Sequence, residues 1–140
     1  VIATDISLAA LKIARENAKR LGQPQPCFLQ ADLLKPFNTD FDLICANLPY
    51  IPTKELQNLQ VARWEPRQAL DGGQSGLKAI SALLNQSRKH LSPNGVILLE
   101  IESSLGPASL SVAKAAFPEA QIKLIQDLSG RDRVIEIRTS

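Results

Sequence analysis

The chain has 140 residues, 44% of them hydrophobic and 21% charged, with a formal net charge of +2. That length and balance fit one soluble domain with a real core, and the mild positive charge gives no argument for nucleic acid. No apolar run approaches the roughly 18 residues a membrane helix needs, and no basic-then-apolar leader opens the chain. Lys19–Arg20, Arg88–Lys89 and Arg131–Arg133 read as solvated helix ends or turns. Cys27 and Cys45 fall in apolar stretches without metal-ligand spacing, so buried free thiols in a reducing cytoplasm are expected. The sequence starts in an apolar strand and holds no Met, which points to a fragment whose missing part lies upstream.

Residues 1–4 form a short β-rich run ending at Asp5, and Ser7 is a helix N-cap. Leu8, Leu11, Ala14, Ala18 and Leu21 recur at helical spacing, and Gly22 stops the helix. Residues 27–32 form a second strand. Residues 41–47 form a third, whose apolar centre suits a strand covered on both faces. From Leu48 to Gly76 regular periodicity is lost; a long loop is expected, with one helical turn at 54–60. Leu77, Ile80, Leu84 and Leu91 mark a helix ending before the turn at 92–95. Residues 96–101 form a fourth strand. A helix runs from Pro107 to about Phe117, and Pro118 stops it. Strands at 121–126 and 133–138 close the chain as an antiparallel hairpin. The order β-α-β-β-loop-α-β-α-β-β predicts an α/β fold, a parallel sheet with helices on both faces and one antiparallel strand.

In an open α/β sheet, ligands bind at the carboxyl ends of the strands. Asp5, Asp32 and Asn47 stand at such ends in consecutive strands. A carboxylate after the first strand can accept both hydroxyls of a ribose, although Asp before a helix is also an ordinary cap. Asp32 followed by Leu33 offers an acceptor for an exocyclic amine and an apolar surface for a purine face. The three together carry more weight than any one.

Residues 47–50 read Asn-Leu-Pro-Tyr. A planar NH₂ group is a poor nucleophile, because its lone pair is delocalised. A site that alkylates it must align the nitrogen with the electrophilic carbon and accept its hydrogens. The Asn47 side-chain carbonyl and the Leu48 main-chain carbonyl are such acceptors. Pro49 leaves Leu48 few conformations. The Tyr50 ring can stack on a planar amide and tolerates a nearby sulfonium. Catalysis of this kind is positioning and electrostatics, with no covalent intermediate.

The tetrapeptide resembles the Asn-Pro-Pro-Tyr motif of methyltransferases that act on planar amino groups. With "EPRQALDGGQSGL" at 65–77, "LLEI" at 98–101 and "DLSGRDRVIEI" at 127–137, nearly the whole chain resembles the release-factor glutamine N5-methyltransferases, the HemK-type enzymes. The tetrapeptide alone does not separate that family from adenine-N6 nucleic-acid methyltransferases; the 65–77 and 127–137 segments do. The low aromatic content, 4%, gives no base-stacking surface. The resemblance implies a Rossmann-like class I S-adenosylmethionine-dependent methyltransferase fold with a closing hairpin. It implies S-adenosyl-L-methionine as cofactor, held by Asp5, Asp32, Leu33 and Asn47. It implies Asn47, Pro49 and Tyr50 as catalytic, and Asn47, Leu48, Pro49, Tyr50 and Glu65 as substrate-binding, with Pro66 beside Glu65 in the wall of the site. The implied substrate is the glutamine of a Gly-Gly-Gln tripeptide in a peptide chain release factor. The expected enzyme is a cytoplasmic monomer with no metal, no membrane contact and no direct contact with nucleic acid.

Two positions depart from the family pattern: Leu48 replaces its usual proline, and Leu105 its usual glutamine. The family also has a strand and a glycine-rich cofactor loop upstream of the Val1 position, that strand lying centrally between residues 1–5 and 41–47, and a helical substrate-docking domain before it. Their absence leaves a non-catalytic remnant as a rival reading of the 140 residues. Gly72–Gly73 reads as a turn, since it follows a loop and not the strand a phosphate loop needs. His90 reads as a helix C-terminal charge. Trp64 either lines the substrate cleft or anchors the loop. Arg131 and Arg133 are expected to pair locally around Asp132.

Overall fold

The computed structural model describes residues 1–22 and 26–140, arranged as two units, Val1–Asn38 and Thr39–Ser140. The first unit is a β-α-β crossover. Strand β1 (Ile2–Asp5) pairs in parallel with β2 (Cys27–Gln30), Ile2 opposite Cys27 and Asp5 opposite Gln30. Helix α1 (Leu8–Arg20) links them. Ser7 has extended backbone, and its Oγ accepts the Ala10 N–H at 3.2 Å, as its N-cap position requires. Lys19 and Arg20 oppose the negative end of the helix dipole, and Gly22 leaves it at φ +62°. Leu11, Ala31 and Leu34 are buried.

The second unit is a four-stranded sheet in the order β3-β4-β6-β5. Its strands are β3 (Phe41–Asn47), β4 (Leu91–Glu100), β5 (Gln121–Gln126) and β6 (Asp132–Arg138). β3 and β4 are parallel, and β6 runs antiparallel to both β4 and β5. A short helix α2 (Arg67–Leu70) precedes α3 (Lys78–Ser87), which crosses from the loop to β4; α4 (Gly106–Ala116) crosses from β4 to β5. α3 and α4 pack together, and α4 also lies on β5 and β6. Alternation along the strands sends Ile44, Ile97, Leu99, Ile135 and Ile137 into the core with Ile80, Leu83, Leu84 and Ala113 of the helices. Each such aliphatic side chain contributes about 1.5–3 kcal/mol on burial.

Four expectations are corrected. β3 is not covered on both faces: Leu43 is 55% exposed and Cys45 is exposed, while Ile44 between them is buried. Cys27 is exposed too, so both thiols are free but neither is buried; an apolar neighbourhood in sequence does not decide which face a strand residue takes. The turn at 92–95 lies inside the bounds of β4 as an irregularity. Phe41 pairs with Leu91 and Leu43 already with Val96, and Asn94 takes φ +60° where the extra residues loop out. In place of a single turn at 54–60, two 3₁₀ segments form, Leu56–Asn58 and Gln60–Arg63. Pro107 stands in the first turn of α4, as read from the sequence.

Candidate active site

In the first unit, parallel pairing sets Asp5 and the Asp32 segment at the carboxyl ends of neighbouring strands. The Asp5 carbonyl accepts the Ala31 N–H at 3.0 Å, and Gln30 Nε2 donates to the Ile6 carbonyl at 3.0 Å. The Asp5 side chain is exposed, and its Oδ1 accepts the Ser7 N–H at 2.7 Å. That bond is an Asx turn leading into the Ser7 cap, so Asp5 does not itself cap α1, and it engages one carboxylate oxygen. Asp32 is exposed and ion-paired with Lys35 one turn on. Leu33 is half-buried with φ +55°, a left-handed conformation uncommon for a side chain of its size.

In the second unit, Asn47 is the last residue of β3, opposite Glu100 at the end of β4. It is exposed, and among the described residues its side-chain amide has no hydrogen-bond partner. Leu48, Pro49 and Tyr50 are half-buried. The chain then meets the 65–77 segment. Ile51 forms a parallel bridge with Asp71: the Ile51 N–H donates to the Leu70 carbonyl at 2.9 Å, and the Gly72 N–H to the Ile51 carbonyl at 2.8 Å. The Thr53 N–H adds a bond to the Gly73 carbonyl at 2.9 Å.

The Asp71 carboxylate joins both segments. It accepts the Thr53 hydroxyl at 2.6 Å, the Gly73 N–H at 3.0 Å and Arg67 Nε at 3.0 Å. These bonds, the Thr53 hydroxyl first, hold its carboxyl below the usual carboxylate range. Thr53 and Asp71 were not singled out from the sequence. Their only signal was that Asp71 precedes the paired glycines of a segment characteristic of the resembled family, and that Thr53 follows the tetrapeptide closely.

The remaining candidates separate. Glu65 and Pro66 are exposed, at the start of α2. Trp64 is 86% exposed, which removes the loop-anchor alternative. His90 lies just past α3, and its ring Nδ1 is 3.1 Å from the Thr39 carbonyl. Arg133 pairs with Asp127 at 3.3 Å and not with Asp132, because Asp127 is the hub of the β5–β6 turn, accepting also from the Ser129 and Arg131 N–H groups.

No family model matches the sequence. Solved methyltransferases align with this chain over its whole length. A methyltransferase from Pyrococcus furiosus aligns with a TM-score of 0.70 at 18% identity, covering 100% of this chain and 62% of that one. The Mtq2–Trm112 complex of E. cuniculi, described as responsible for the methylation of the eRF1 translation termination factor, aligns at 0.65 with 19% identity, covering 100% and 72%. The fold is thus the Rossmann-like α/β fold of class I S-adenosylmethionine-dependent methyltransferases. In sequence, the release factor glutamine methyltransferase of Moorella thermoacetica is 44% identical over 136 residues, 95% of this chain and 48% of that protein. That of Cereibacter sphaeroides is 40% identical over 140 residues, 98% and 50%. The chain is thus similar in sequence to release factor glutamine methyltransferases, and it spans about half the length of the curated relatives it matches.

Proposed function

We propose that the polypeptide carrying this chain transfers a methyl group from S-adenosylmethionine to the side-chain amide nitrogen of a glutamine in a peptide chain release factor, the glutamine of a Gly-Gly-Gln tripeptide. One observation carries the reading: at the carboxyl end of β3, Asn47 keeps its amide unengaged, in a Leu-Pro-Tyr context braced by the 65–77 segment. The names of the relatives agree with it.

In this reading Asp5 takes the ribose hydroxyls with the carboxylate oxygen that Ser7 leaves open, and Asp32 and Leu33 flank the adenine. The donor set fits: two exposed carboxylates at strand ends and an apolar side chain beside one of them. When bound, the cofactor supplies an electrophilic methyl carbon on a sulfonium. Asn47 and the Leu48 carbonyl accept the two N–H bonds of the substrate amide. That holds its nitrogen in line and stabilises the positive charge it gains on alkylation. Tyr50 stacks on the amide plane, and Glu65 and Pro66 border the entrance. We place the enzyme in the cytoplasm as a monomer without direct nucleic-acid contact. Among the described residues no helix is long and apolar enough to cross a membrane.

The test is transfer of a labelled methyl group from S-adenosylmethionine to purified release factor, beside an adenine-containing duplex, by the whole translated polypeptide. Label in the release factor supports the proposal. Label in the duplex alone refutes it.

A further inference from the structure

The Asn47–Tyr50 motif is followed by a contact that composition and spacing did not reveal. Two glycines of the 65–77 segment press on the Tyr50 backbone from one side. A Cβ on Gly72 would stand 2.8 Å from the Tyr50 carbonyl carbon and 2.7 Å from the Gly76 carbonyl oxygen. A Cβ on Gly76 would overlap the Tyr50 carbonyl oxygen and come within 3.0 Å of Leu105 Cδ1. Both glycines are buried, and Gly76 also takes φ +77°. No residue with a side chain can occupy either position with this backbone. The chain just after Tyr50 is held by the same segment, through the Ile51–Asp71 bridge and the Asp71 carboxylate bonded to Thr53.

We propose that Asp71, Thr53, Gly72 and Gly76 form a clamp whose task is to fix the Tyr50 main chain, and through the rigid Pro49 the Leu48 carbonyl, in the position the amide substrate requires. This deepens the proposed function and rests on it for the chemistry. The four are positioning residues; none is assigned contact with substrate. Gly72, the first of the paired glycines, therefore serves close approach as well as the turn, and Gly76 shares that task. The clamp also gives the Leu105 departure a place. That side chain borders Gly76, so residue 105 backs the clamp from behind.

Tyr50 is the one Tyr of these 140 residues; in the polypeptide labelled with 3-fluorotyrosine, the ¹⁹F resonance that Tyr50→Phe removes is that of Tyr50, and it reports this residue whether or not methyl transfer occurs. Gly76→Ala is compared with Gly130→Ala. Gly130 has φ +75°, the same strain for a side chain, but nothing within 4 Å of its Cβ position. The clamp predicts that Gly76→Ala moves or splits the Tyr50 resonance and lowers methyl transfer by at least about tenfold. It predicts that Gly130→Ala leaves the resonance in place. A wild-type resonance in folded Gly76→Ala, or an equal displacement in Gly130→Ala, overturns it.

Should Gly76→Ala fail to fold, the decision passes to Thr53→Val and Thr53→Ser. Val keeps the shape and loses the donor to Asp71; Ser keeps the donor. A shifted resonance in Val that Ser returns supports the clamp, and an unshifted resonance in Val overturns it. A displaced resonance in a polypeptide whose wild type transfers no methyl group to release factor refutes the proposed function while leaving the clamp standing.

Discussion

Ser87 and Ser109 are both 0% exposed, both lie in helices of the second unit, and they differ in one respect. Ser87 Oγ donates to the Leu83 carbonyl at 2.8 Å, whereas Ser109 Oγ has no hydrogen-bond partner among the described residues. Replacing either with Ala gains about 0.5 kcal/mol in helix propensity. At Ser109 the change also removes a desolvated, unpaired hydroxyl, which costs about 1–3 kcal/mol while present. The small void left behind returns roughly 0.5–1 kcal/mol of that. Ser109→Ala should therefore stabilise the unit by about 1–2 kcal/mol. At Ser87 the lost bond is worth about 0.5–1.5 kcal/mol and the same void term applies, so Ser87→Ala should destabilise by about 0.5–2 kcal/mol. The two variants should differ by about 3 kcal/mol, roughly 12–24 °C in Tm at roughly 4–8 °C per kcal/mol for a unit of this size. Urea unfolding should be followed by far-UV circular dichroism, since the sole Trp, Trp64, is already 86% exposed and its fluorescence would change little. The m-value should stay constant. Equal destabilisation by both substitutions would refute the reasoning and mean that the Ser109 hydroxyl is satisfied.

Asn47→Ala should lower the rate of methyl transfer at saturating cofactor by about a hundredfold or more, with less than about a tenfold loss of cofactor affinity by calorimetry; equal losses would make Asn47 mainly a cofactor residue. Stability should fall in acid. Asp71, Asp127 and Glu136 all have carboxyls held below their ordinary range, by the Thr53 hydroxyl, the Arg131 N–H and the Arg138 guanidinium respectively as first cause. A lowered folded-state pKa gives stability that is full above the unfolded value, about 4, and is lost as pH drops through the folded values. Urea midpoints should therefore be level from pH 7 to about pH 5 and decline below about pH 4. Trp64→Ala should change stability by less than about 0.5 kcal/mol, because its exposed ring packs little surface; a larger loss in the same urea titration would show that the ring supports the loop.

The elements with strong periodicity or punctuation were legible. β3 was read at its true bounds, and α1 and the closing hairpin to within a residue or so, because Ser7, Gly22 and Pro118 mark their neighbours' ends. What escaped was the third dimension of those elements. Cys45 and Leu43 sit in an apolar run, yet alternation turns both away from the helices. Asp127 outcompeted Asp132 for Arg133 because the turn brings its carboxylate back over the following strand, a fact of backbone path that adjacency in sequence does not carry. At the candidate site, the place of Asn47 at the carboxyl end of β3 was legible from the bounds of that strand. The Thr53–Asp71 bond spans 18 residues, and the approach of Gly76 to Tyr50 spans 26. Neither has a local signature.

The most direct test of the central claim is to incubate a release factor with S-adenosylmethionine and the whole polypeptide that carries this chain, and to locate the added methyl group by tandem mass spectrometry. The account predicts one methyl group on the side-chain nitrogen of the Gly-Gly-Gln glutamine, and its loss when Asn47 is Ala. A methyl group on another residue, or one that persists unchanged in Asn47→Ala, would contradict it.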